Sequence, residues 1–409
     1  MRHAGAREAS VRNDNAKGDS GMEGAPSYDV DIYSDEVIAE PYGHYRAIRD
    51  AGPAVWLPKN GLWAVGRFAD VRNVLRDYKR FSSARGIAAN ELMNSSIGNT
   101  ITSDPPEHTK MRGIIRAPLT VPALKEAAPR IEAEAEALVE RLVRQGSFDA
   151  VSECARHLPV SIVSELVGLP EEGRANMLRW AGATFDALGA MNARSEAALP
   201  HIEELRAYCS DESTVARLKP DGWAAAIWKA ADRGEIPKDK CPAMMRDYIS
   251  PSLDTTIFAT GSLIWFFGRN PDQWDLVRQD HSLIPSAINE AVRLESPIRG
   301  FTRVVVEDTD IDGAELSGRS RLLVLYASAN RDERKWEEPE KFDVRRNGRD
   351  HLGFGFGAHI CAGMHLARLE MTALMTAFAR RVSRFEVGEP VRAVNNVLRG
   401  FVSLPVTVR

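Results

Sequence analysis

A mainly α-helical protein with minor β structure at both ends is what this sequence predicts, and three observations predict it. Apolar residues recur at helical spacing almost without interruption from about 118 to 250. Short β-rich stretches are confined to an early hairpin and to the regions 301–328 and 384–409. Neither an internal repeat nor a low-complexity linker divides the 409 residues, so one large domain is expected over 28–409, although that length exceeds the usual single core.

Residues 1–27 are rich in Arg, Asn, Asp, Gly and Ser and bury little apolar surface, so a disordered tail is expected there. Met22, just before the first ordered-looking stretch, is an alternative start to Met1. Tyr42–Ala51 then reads as a short amphipathic helix. Val55–Leu57 and Leu62–Val65 flank Lys59-Asn60-Gly61, a hairpin signal because Asn-Gly accepts positive φ. Phe68, Val71, Val74 and Leu75 repeat at helical spacing, so the hairpin runs into a helix. Further on, Ile131, Ala135, Leu138 and Leu142 form one buried stripe opposite a face of Glu and Arg. Pro242 suits the first turn of a long helix reaching about Arg269 and stopped by Asn270-Pro271. Roughly 25 residues at about 1.5 Å each would cross nearly the whole domain. Within it, Pro251 removes one N–H and predicts a kink.

Composition excludes several classes. A formal net charge of −4 lacks the basic face that nucleic acid requires. The longest apolar run, Ile257 to Phe267, is too short for a bilayer and is interrupted by Gly261 and Ser262. No apolar signal region precedes residue 28, and Cys154, Cys209, Cys241 and Cys361 show no paired spacing. Cytoplasmic residence in a reducing compartment is the expectation.

The stretch richest in chemistry is His351-Leu-Gly-Phe-Gly-Phe-Gly-Ala-His-Ile-Cys361-Ala-Gly363, followed by a helical pattern. Gly353, Gly355 and Gly357 give a backbone able to bend tightly against a flat cofactor. A helix starting after Cys361 aims its N–H groups and positive dipole end at the sulfur, which favours thiolate. Other readings stand beside this one. A phosphate loop has the wrong glycine spacing, and half a zinc site of Cys361 and His365 has no second pair nearby. A buried inert cysteine is the commonest fate of a lone Cys.

Phe354 to Gly363 resembles the haem-binding loop of the cytochrome P450 family, and three further motifs stand in that family's order. Glu290-Ala-Val-Arg293 resembles its E-x-x-R pair. Leu253-Asp254-Thr255-Thr256 resembles its oxygen-activating motif, and His108-Thr-Lys-Met-Arg112 its propionate-binding helix. The resemblance implies the triangular, mainly helical fold of that family. Its haem b would lie between the long helix and the helix after Cys361.

It also implies roles. Cys361 would be the axial ligand of the haem iron, with Phe354, Gly355 and Gly363 around it. His108, Arg112, Arg303 and His359 would hold the propionates, since carboxylates partly removed from water need cationic or N–H partners. Asp254 and Thr255 would deliver protons, with Ser252 beside them where the family usually has a small residue. Glu290 and Arg293 would pair and lock the cysteine loop through a third cation, here at the position of Lys341. Dioxygen would be the oxidant. Electrons would come from a ferredoxin- or flavodoxin-type partner with its NAD(P)H reductase, docking near Lys110, Arg116, Arg345, Arg346 and Arg349.

Ser82–Gly86, Ala287–Pro297, Ser328–Asp332 and Asn395–Gly400 resemble the bacterial branch that O-demethylates para-methoxybenzoate. That likeness implies a tight aromatic pocket drawing on Phe185, Leu188, Ile298, Phe301 and Val397, with Arg85 and Arg246 facing the acid group. Asp247 stands where that branch carries serine. A carboxylate paired with Arg246 would repel a benzoate, so a guaiacol or alkylguaiacol is the expected substrate, demethylated with release of formaldehyde. The alternatives are a para-methoxybenzoate demethylase, a hydroxylase of another small apolar compound, and a non-enzymatic haem sensor.

Overall fold

A computed structural model describes residues 24–95 and 98–409. Most of the tail, 1–23, falls outside the described residues. The ordered chain starts earlier than residue 28, because Trp56 N donates to Pro26 O at 2.8 Å and Ser27 bridges Trp56.

The early elements follow the periodicity closely. The helix Tyr42–Ala51 is followed by strands Val55–Leu57 and Leu62–Val65, and Gly61 turns the hairpin at φ +63°. Phe68–Arg76 is helical and buries Phe68, Val71, Val74 and Leu75. A five-stranded sheet grows from this hairpin, with Leu62–Val65 pairing in parallel with Arg321–Val324. Phe301–Val305 and Phe81–Ser82 complete it, antiparallel to their neighbours.

The helical middle carries one interruption that periodicity missed. Helix Ala128–Gln145 ends at Gly146, where φ is +77°, and Ser147–Asp149 forms a strand against Pro405–Val408. Wide helical turns follow from Ala150 to Val163 before regular helix resumes. Ile131, Ala135, Leu138 and Leu142 are buried as the stripe predicts.

The long helix expected from Pro242 to Arg269 is two helices. Cys241–Ile249 and Asp254–Arg269 are separated by Ser250–Leu253. Pro251 has no N–H to offer Asp247 O, and the polar residues around it satisfy carbonyls with side chains. Ser252 Oγ donates to Tyr248 O, and Thr255 Oγ1 donates to Pro251 O at 2.9 Å. The kink is therefore a break. Asn270-Pro271 ends the second helix and opens Pro271–Gln279.

Met364–Ala379, the helix after the cysteine, packs on Ala128–Gln145 and on Ile284–Leu294. Its inner face, the break and the cysteine loop enclose one large cavity. Among the described residues, no helix is long and apolar enough to cross a membrane.

Candidate active site

The cysteine loop is built by close approaches only glycine permits. A Cβ on Gly357 would sit 2.5 Å from Leu75 O, at a φ of +72°, and one on Gly353 would sit 2.6 Å from Val292. The loop closes where Cys361 N donates to Phe354 O at 2.7 Å. These contacts pack two of the three glycines on protein. Gly353, Gly355 and Gly363 also line the cavity, and a Cβ on Gly363 would meet only open space.

Cys361 is the one exposed cysteine and opens onto the cavity, yet the protein crowded around it still desolvates its thiol. Burial pushes its thiol up; N–H donation from Gly363 and Met364 and the cations Arg112 and Arg368 act the other way. A metal that replaces the proton removes the burial penalty on the free thiolate. The other cysteines are buried free thiols. Burial pushes Cys154 and Cys209 up to about 12, so neither is a ready ligand.

At one edge of the cavity His359, Arg112 and Arg303 converge. His108 sits behind, its ring centroid 4.3 Å from that of His359. Both ring nitrogens of His108 and Nε2 of His359 are buried without a hydrogen-bond partner. Burial, reinforced by Arg303, His108 and Arg112, holds His359 down at about 2, and burial also lowers His108. Neutral imidazoles and two guanidiniums with N–H groups to spare make a receptor for carboxylates. Arg112 also donates to Ile360 O, tying this edge to the cysteine loop. Orphaned donors at the edge, open space above Gly363 and one thiol among the described lining residues fit the haem that the sequence implies. Among the described residues no cluster of three or more His, Cys, Asp or Glu offers a site for a bare metal ion.

Glu290 and Arg293 are fully buried beneath the loop, joined by two hydrogen bonds of 2.7 and 2.8 Å. The third cation is not Lys341. Lys341 Nζ points outward to Glu338 at 2.9 Å, and its only share in the cluster is a carbonyl that accepts from Arg293 at 3.3 Å. Arg346 fills the role: its Nε donates to Glu290 Oε1 at 2.9 Å, and its other nitrogens donate to Glu337 O and Glu338 O. Arg346 thus leaves the proposed docking patch, whereas Lys110, Arg116, Arg345 and Arg349 are exposed.

The opposite wall is made by Thr255 and Ser252 at the break, with Phe185, Leu188, Ile298 and Phe301 around them. Asp254 faces away. A Cβ on Gly182 would lie 3.7 Å from its Oδ2, and burial pushes its carboxyl up to about 7, with Arg156 opposing and Asp186 adding to the shift. Arg85 is exposed and outside the cavity, its carbonyl taken by Arg321. Val397 is buried behind the wall rather than in it.

Arg246 and Asp247 both line the cavity but do not pair. Asp247 accepts from Asn99 Nδ2 at 2.7 Å and from Thr100 N at 2.9 Å, and burial pushes it up to about 6. Arg246 forms no ion pair among the described residues. Sequence reasoning also missed Glu370, on the helix after the cysteine. It lines the cavity, its Oε1 has no partner, and burial alone pushes it up to about 8. Only its polarity on a helix face that is otherwise apolar could have signalled it.

Comparison with known proteins agrees with this geometry. The family model for cytochrome P450 matches residues 267–408. Cytochrome p450 CYP199A2 of Rhodopseudomonas palustris is 34% identical over 94% of each chain. Linalool 8-monooxygenase of Pseudomonas putida is 30% identical, over 92% of this chain and 97% of that one. Among solved structures, CYP109Q5 from Chondromyces apiculatus superposes with a TM-score of 0.79 at 26% identity, covering 93% of this chain and 98% of that one.

Proposed function

The chain belongs to the cytochrome P450 family, and from that premise we propose that it oxidatively O-demethylates a small methoxy-aromatic, a guaiacol or alkylguaiacol first among them. The protein is a haem-thiolate monooxygenase that uses haem b and needs dioxygen and a redox partner. When bound, the haem supplies dioxygen activation, and thiolate ligation favours O–O cleavage over reversible binding.

The chain's own residues then have separate tasks. Cys361 would hold the haem iron, and the N–H groups of Gly363 and Met364 would temper the charge on its sulfur. His108, His359, Arg112 and Arg303 would hold the haem's carboxylates. Thr255 spends its hydrogen on Pro251 O, which leaves its lone pairs free to hold a water in the cavity. Asp254, neutral for part of the time near neutral pH, is the group from which that water is resupplied with protons. A ferredoxin-type donor fits the exposed cations Lys110, Arg116, Arg345 and Arg349 near the cysteine side.

The observation that carries the substrate reading is the wall opposite Cys361. Phe185, Leu188, Ile298 and Phe301 line the same cavity onto which Cys361 opens. Such a wall favours a small flat ring, and the ionised Asp247 on the same wall disfavours a benzoate above about pH 6. One observation favours a second reading, para-methoxybenzoate: Arg246 lines the cavity with no acid paired to it. Binding decides between them. Guaiacol and 4-alkylguaiacols are expected to shift the Soret band at far lower concentration than para-methoxybenzoate, and to yield formaldehyde with a catechol. Tighter binding of the benzoate would transfer the assignment to the second reading.

A further inference from the structure

At the break between the two central helices, Ser250 forms a hydroxyl pair with Thr184 that the proposed chemistry leaves unused. Thr184 Oγ1, on helix Glu171–Ala187, donates to Trp180 O at 2.8 Å. The same oxygen stands 3.1 Å from Ser250 Oγ, and both residues line the cavity.

A hydroxyl has one hydrogen to give. Thr184 gives its hydrogen to Trp180 O, so the bond between the two oxygens is donated by Ser250. Ser250 Oγ then faces the cavity with lone pairs and no hydrogen. Its neighbours at the break are committed likewise, Ser252 to Tyr248 O and Thr255 to Pro251 O. Turning the pair around is costly. If Ser250 aimed its hydrogen at a ligand, two oxygens would face each other with none between them, or Thr184 would give up its bond to Trp180.

Resting on the methoxy-aromatic reading above, we propose that Ser250, oriented by Thr184, is a specificity-determining acceptor that selects substrates bearing a hydroxyl next to the methoxy group. An ortho O–H donates to Ser250 Oγ while the methoxy carbon lies toward the cysteine side of the cavity. A ring whose neighbouring group only accepts hydrogen bonds meets an oxygen that cannot donate.

Three probes isolate this: guaiacol, anisole, which lacks the hydroxyl, and 1,2-dimethoxybenzene, in which it is methylated. Titration of the haem-loaded protein by Soret shift, with calorimetry as a second readout, is expected to show guaiacol binding about five- to tenfold tighter than anisole, the share of one neutral hydrogen bond. Ser250→Ala is expected to bring guaiacol to the level of anisole. Thr184→Val frees the hydrogen of Ser250 and is expected to improve 1,2-dimethoxybenzene relative to guaiacol. Equal binding of guaiacol and anisole to the unaltered protein overturns the inference and leaves the demethylase reading standing, as does a preference that survives Ser250→Ala. Failure of all three probes to bind overturns both.

Discussion

The two walls of the cavity are built on opposite principles. On the cysteine side the supporting scaffold is held by fixed partners: the loop is closed by a backbone bond, and Glu290, Arg293 and Arg346 form a buried cluster beneath it. On the other side a helix is broken, Pro251 removes a donor, and side-chain hydroxyls stand in for backbone hydrogen bonds. The first arrangement holds a cofactor in one position and tolerates little change. The second leaves lone pairs facing a space that has to admit substrate, water and protons, with a neutralisable acid, Asp254, behind them. Rigidity and adaptability are thus divided between two faces of one cavity.

The comparison breaks most completely at the sulfur. Cys361→Ala is expected to abolish the strongly red-shifted Soret band of the reduced protein under carbon monoxide, since no other described cysteine reaches the cavity. Replacing Cys154, Cys209 or Cys241 is expected to leave that band in place.

The buried cluster under the loop should grade its effects by depth. Glu290→Ala strands two guanidiniums, at a cost of about 3–5 kcal/mol, and is expected to leave little haem-loaded protein. Arg346→Ala should cost less, because Arg293 still neutralises Glu290. Lys341→Ala should be nearly silent, its ammonium being an exposed surface partner of Glu338. Haem content and urea midpoints of the three variants check this order. A Lys341 variant as damaged as the Arg346 variant would restore lysine as the third cation.

What could be read in the sequence follows the same division. The cysteine loop, E-x-x-R and the propionate helix are contiguous motifs, so their chemistry survives being read as a string. Arg346 was missed because the third cation lies five positions beyond Lys341, and only the folded path of the segment decides which of them turns inward. The binding of Asp247 to Asn99 joins residues 148 apart, which no local spacing encodes. Adjacency suggested Arg246 as its partner, but neighbouring helical residues point in different directions. Arg85 and Val397 were placed in the pocket by likeness alone, and this chain turns one to solvent and the other into the core. The break at Ser250–Leu253 was half legible. Proline announces a disturbance, but its extent depends on how Ser252 and Thr255 satisfy the freed carbonyls.

The smallest expected effect sharpens the comparison on the adaptable side. Burial raises Asp254 from the ordinary carboxylate range to about 7, so the folded protein binds this proton more tightly than the unfolded chain does. Stability linked to it is therefore full below about pH 4 and is lost as pH rises through about 7. Proton supply has the same sign: below about pH 7 the group is neutral and can donate, and above it the donor form empties. Hydrogen peroxide released per NADH consumed should accordingly climb as pH is raised past 7. In Asp254→Asn it should be high at every pH, and in Thr255→Ala high even at low pH, because the water that Asp254 feeds is no longer held. Haem content should stay normal in both variants, since neither residue belongs to the cysteine side. A peroxide yield that is flat with pH in the unaltered protein would mean that protons reach the cavity by another acid, and Glu370, buried, unpaired and raised to about 8, is the group to replace next.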